Sequence, residues 1–196
     1  MTASARRGAV PGFIGKDPVA AATDASFKRG TAGIAYVVSD GRWGLRSWVS
    51  PGGYIDPTGS SVVLVAELRA VALLFEDSSG PDPAILLVDS KAAVEYLRSW
   101  QRGDTDRMPE GYSLRQRSGG QAPTLVRLAL LMNGWHRILA VEHVPGHAGH
   151  PLNEAADSLA SIARRRVPAG EACARASGLV EAFLSVWHGS AGRRAE

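Results

Sequence analysis

The run Ala84–Val88, AILLV, is apolar at every position and stops abruptly at Asp89-Ser90-Lys91. A strand that alternates apolar and polar residues can leave one face in water, whereas one that does not alternate must be covered on both faces. This segment therefore predicts the buried central strand of a sheet with helices packed on both sides. Ahead of it, PVAAATDAS, GTAGIAYVVSD and RWGLRSWVS read as three strands separated by FKRG and SDG, an antiparallel meander. The turn-rich PGGYIDPTGSS then leads into VVLVAELRAVALLFED, a helix of about four turns with Ser60 or Ser61 as its N-cap. KAAVEYLRSW predicts the helix that follows the central strand, and residues 101–123 a long polar loop. After the loop come a helix over TLVRLALLMNG, a strand over HRILAVEHV and a helix from about Asn153 to Arg165. The order β-β-β-α-β-α-α-β-α predicts an α/β fold: a mixed five-stranded sheet of three antiparallel strands followed by alternating units.

A chain of 196 residues supports one well-packed domain. We expect it over residues 18–167, between a loosely held basic arm at 1–17 and an extension at 168–196 with a short helix over LVEAFLSVW. Lys and Arg total 22 against 19 Asp and Glu, a net charge of +3 that leans mildly toward polyanionic partners. Cys173 is the single cysteine, so no internal disulfide forms, and no signal peptide or bilayer-spanning run is present. A cytoplasmic monomer with no membrane partner is the expectation.

Four carboxylates stand where packing alone would not put them. Glu67 lies among Val63, Leu64, Ala70, Val71 and Leu74 at about 100° per residue, in the middle of its helix's apolar stripe. A carboxylate there needs a cation or several donors, and one of the chain's arginines is the structural alternative to a site. Asp89 ends the buried strand, where sheets with α/β crossovers place their sites, although Asp89 or Ser90 also suits a helix N-cap. Asp24 in AAATDASFKRG is either a turn residue or an acid projecting from the sheet. Asp157 lies at the margin of the apolar face made by Ala156, Leu159, Ala160 and Ala163. Repulsion within such a set calls for divalent cations, and hard oxygen donors favour magnesium or manganese over zinc. A zinc site built on His143, His147 and His150 would lack a nearby thiol, because Cys173 is distant in sequence and His143 falls on a strand.

In order along the chain, TDAS around Asp24, AELRAV with Glu67, VDSKAAV with Asp89 and VPGHAGHPLNEAAD with His147 and Asp157 resemble ribonuclease H type 1. The last stretch carries the family's closing G-H-x-G-H-x-x-N-E-x-x-D pattern. The resemblance implies an RNase H-like fold and hydrolysis of the RNA strand of RNA–DNA hybrids, with Asp24, Glu67, Asp89 and Asp157 holding two magnesium ions, for which manganese can substitute. It implies that His147 is a mobile histidine assisting the attacking water or product release. Where the family often has polar residues ahead of the helix glutamate this chain has VVLVA, which leaves Ser26, Ser90 and Lys91 to contact 2′-hydroxyls. Residues 98–117 carry five arginines against three acids. With Trp100 between Arg98 and Arg102, they read either as a phosphate-tracking surface or as a solvated loop. Two other functions fit less of the pattern: a nuclease of the same fold acting on DNA or branched DNA, and a non-catalytic nucleic-acid-binding module that would have lost an acid.

Overall fold

The computed structural model describes residues 5–13, 18–49, 61–77, 79–135 and 139–192. Six strands form one mixed sheet: β1 (Arg6–Ala9), β2 (Ala20–Lys28), β3 (Thr31–Val38), β4 (Arg42–Val49), β5 (Ile85–Val88) and β6 (Ala140–His143). They lie in the order β1-β4-β3-β2-β5-β6. β2, β3 and β4 are the antiparallel meander, and β5 and β6 join it in parallel. The helices are α1 (Ser61–Phe75), α2 (Lys91–Gln101), α3 (Thr124–Gly134), α4 (Pro151–Arg164) and α5 (Ala169–Gly192). Ser61 is the first residue of α1; Ser60, the turn-rich segment before it, the beginning of the expected strand at His136 and the basic end of the chain lie outside the described residues.

The sheet separates two cores, and alternation along the strands decides which side chain serves which. Ala21, Leu86 and Val88 join Leu68, Leu73, Leu97 and Leu125 on the face of α1, α2 and α3. Ala20, Ala22 and Leu87 join Leu152, Leu159 and Leu184 on the face of α4 and α5. α1 is buried nearly all round, so Glu67 is enclosed along with its apolar neighbours. β6 is an edge strand whose outward carbonyls α2 covers: Arg98 donates to Val141 O at 2.7 Å and Gln101 to Leu139 O at 2.8 Å.

Both chain ends differ from expectation. Arg6–Ala9, expected in a loose arm, pairs antiparallel with β4 and makes six strands of the expected five. Pairing covers the β4 edge, and Gly8 admits the Trp43 ring, which an added Cβ would meet at 2.5 Å. At the other end α5 runs for 24 residues and lays Ala172, Ala176, Val180 and Leu184, all buried, along α4. Small residues spaced by four let the two helices approach closely, a signal that the periodicity of large apolar residues does not carry.

Candidate metal centre

β2 and β5 stay paired as far as Thr23 and Val88, and the next residue on each is an aspartate. Even-numbered positions of β2 face α4, so Asp24 follows Ala20 and Ala22 onto that side. Asp89 likewise follows Leu87. Gly33 on β3 brings α4 against the sheet: a Cβ there would lie 2.0 Å from Ala160 O, so only glycine permits the approach that sets Asp157 beside the strand ends. From the other face α1 supplies Glu67.

Ligand atoms of Asp24, Glu67 and Asp89 all lie within 4.8 Å of one another. Asp24 is 5% and Glu67 6% exposed, so their charges are poorly hydrated. Burial, then the charges of Asp89 and Asp157, push the Asp24 carboxyl up to about 7. Glu67 is raised well above its ordinary value by burial and then by Asp24 and Asp89. Asp89 is raised by burial and then by Asp157. The charges acting most strongly on Asp24 and Glu67 are therefore other carboxylates, not the arginine a structural ion pair would supply. The nearby Ala25 backbone offsets part of both rises. Among the described residues Glu67 Oε2 is buried with no hydrogen-bond partner. Three converging carboxylates with an unsatisfied buried oxygen fit a hard divalent cation.

His147, Glu154 and Asp157 make a second group with ligand atoms within 4.8 Å. Glu154 was not singled out from the sequence, although its spacing of three from Asp157 puts both on one helix face. Its Oε1 accepts the Gly149 N–H at 3.3 Å and fastens the loop to the start of α4. His147 is exposed and holds a left-handed backbone, φ +55°, unusual for a residue with a Cβ. Gly146 provides room beside the site: a Cβ would meet Asp89 Oδ2 at 3.1 Å. His143 sits on β6 with Nε2 3.1 Å from the Asp89 carbonyl oxygen, so it steadies the backbone of that acid.

The expected substrate contacts scatter. Trp100 is fully buried, its indole donating to Arg107 O at 2.8 Å, and so cannot stack a base. Arg98 donates to Val141 O at the β6 edge and, like Arg102 beside it, stays exposed. Ser90 Oγ accepts the Ala93 N–H at 3.2 Å as the N-cap of α2, and Lys91 is exposed one residue on. Ser26 Oγ accepts from Arg164 Nε at 2.8 Å. The loop after α2 is held to the core by buried Tyr112, whose hydroxyl accepts the Leu125 N–H at 3.1 Å.

A sequence model of the RNase H family matches residues 16–165. The chain is 33% identical to a ribonuclease H of Anaeromyxobacter dehalogenans over 165 residues, 80% of this chain and 84% of that one. It is 33% identical to a ribonuclease H of Tropheryma whipplei over 153 residues, 72% of this chain and 81% of that one. With a matched stretch that runs from β2 through α4 and contains all four converging acids, the chain belongs to the RNase H family of nucleases.

Proposed function

We propose that this protein is an endoribonuclease that hydrolyses the RNA strand of RNA–DNA hybrids, leaving 5′-phosphate and 3′-hydroxyl ends, as a cytoplasmic monomer. The observation that carries the reading is the convergence of Asp24, Glu67 and Asp89 from three elements into one buried cluster, with Asp157 facing it. Asp24, Glu67, Asp89 and Asp157 would hold two magnesium ions, with manganese able to substitute. Bound there, the ions supply charge neutralisation at the phosphate and an acidified water for in-line displacement.

The chain's own groups do the rest. Burial keeps the Asp24 and Glu67 carboxylates dry and fixed, so little reorganisation is needed there as charge moves from the attacking to the leaving oxygen. His147, exposed on a loop beside Asp89, can take a proton from the water or give one to the leaving 3′-oxygen. Its left-handed backbone is held by Gly146 packed on Asp89 and by Gly149 tied to Glu154. Lys91, on the first turn of α2, is the remaining candidate for a contact beside the cut, and Arg102 for one farther along the duplex.

The test is a parallel assay of hybrid, duplex DNA and duplex RNA in magnesium or manganese, with end groups read by phosphatase sensitivity. Hybrid RNA should be cut to 5′-phosphate products, and Asp89→Asn should lower the rate by at least about a hundredfold. Full activity of that variant, no cutting of hybrids with either metal, or a preference for duplex DNA would overturn the reading.

A further inference from the structure

α5 lies beyond the stretch that matches the family, and it does more than cover a core. Between it and α4 runs an open groove of about 670 Å³ whose floor begins at Asp157. Ser158, Ser161 and Arg165 continue along α4, and Arg175 and Gly178 line the α5 wall. Residues 157, 161 and 165 are spaced by four, so they form one stripe about 12 Å long at about 1.5 Å per residue. At about 3.4 Å of axis per charge on a strand, this length spans three or so phosphates. Small residues keep the groove open: nothing lies within 4 Å of a Cβ built on Gly178.

Its chemistry suits a polyanion. Arg165, Arg166 and Arg175 are exposed, while the acids at hand are Asp157, at the end of the groove nearest the metal centre, and Glu171. The Arg175–Glu171 pair is an exposed contact of spacing four, of a kind that contributes little in water and gives way readily to a phosphate. The serine hydroxyls add neutral donors without the bulk that would block a strand.

We propose that the groove between α4 and α5 is a phosphate subsite outside the catalytic centre, in which Arg165 and Arg175 hold the backbone of the RNA strand beyond the bond that is cut. The inference rests on the proposed hybrid cleavage, since it takes the strand leaving Asp157 to be RNA. Helix α5 thereby lengthens the footprint on the substrate.

The experiment compares wild type with R165A/R175A on a long labelled hybrid and on hybrids whose RNA ends shortly 5′ or 3′ of the cut. Cleavage is read as KM across a salt series, and binding of the same duplexes is read by fluorescence anisotropy in EDTA. The double variant should raise KM on the long hybrid about tenfold and flatten log affinity against log salt by about 1.8, at about 0.9 per phosphate contact. The difference should vanish on the hybrid trimmed on one side only. R165K/R175K should restore the slope, Gly178→Trp should raise KM by filling the groove without changing charge, and Arg127→Ala on the opposite face of the sheet should leave the slope as in wild type. Equal slopes for wild type and R165A/R175A in both readouts, or an unchanged KM for Gly178→Trp, would overturn the subsite. Failure of the wild type to cut hybrids, with the slope difference kept in EDTA, would sink the catalytic reading and leave the groove standing.

Discussion

Asp24 is a residue that burial makes unfavourable for the fold and that the proposed chemistry requires. Its carboxyl is raised to about 7 chiefly by burial, so the folded, metal-free protein binds a proton that the unfolded chain releases near pH 4. A raised folded pKa contributes stability at low pH, and that contribution is lost as pH climbs from about 4 through about 7. Glu67 and Asp89 shift in the same direction. The metal-free protein should therefore melt higher at pH 5.5 than at pH 8. Asp24→Asn should abolish cleavage yet stabilise the metal-free protein at pH 8 by about 1–3 kcal/mol, read as a rise in Tm of several degrees. A fall in Tm for that variant would mean the carboxylate is a structural partner. Since cations compete with these protons, the metal concentration for half-maximal activity should rise as pH is lowered from 8 to 6.

At the scale of elements, α5 braces the histidine loop. Trp187 packs on His150, the N-cap residue of α4, with ring centroids 5.2 Å apart, and His188 Nε2 lies 2.9 Å from Ser39 O. His147 stands three residues before His150, so the end of α5 bears on the loop that presents it. Trp187→Ala should lower kcat about three- to tenfold with little change in KM, because it displaces the histidine proposed for proton transfer without removing a substrate contact. Trp187→Phe should recover most of the loss, and a Trp187→Ala enzyme with full kcat would show the contact to be packing alone. Much at this scale was legible beforehand. The helix over Thr124–Gly134 agrees with its expected bounds, and the meander and buried strand follow from alternation and its absence. β1 was not legible, because Arg6–Ala9 has no apolar pattern and is a strand only through its pairing with β4. α5 was legible only over residues 179–187, because the packing face of its first turns is alanine.

Over the whole molecule, two cores back to back on one sheet make the terminal segments part of the fold. Arg6 Nη1 donates to Val167 O at 2.9 Å, so the first strand is also tied to the turn between α4 and α5. Removing residues 169–196 would bare the α4 face that Ala172, Ala176, Val180 and Leu184 cover. Burial of those four side chains alone amounts to roughly 5 kcal/mol, comparable with the whole stability of a small domain. The truncated chain should melt far lower or fail to fold by circular dichroism; an unchanged Tm would show α5 to be an appendage. Among the described residues no helix is long and apolar enough to cross a membrane.

The sequence by itself determined the types and order of most elements and marked the four acids and His147. Both depend on local information: the period of apolar residues, and carboxylates set in apolar surroundings or in a recognisable motif. Which oxygens meet, and which expected contacts are spent elsewhere, only the tertiary structure decided. Trp100 stands between two arginines along the chain, yet it fills the core, and exposed Arg98 also covers the β6 edge. Asp24 and Asp89 converge because β2 and β5 cease pairing at Thr23 and Val88, and Asp157 joins them because Gly33 lets α4 lie on the sheet. Such contacts join residues far apart in sequence, where a missing Cβ or the last paired residue of a strand sets distances that no local pattern records.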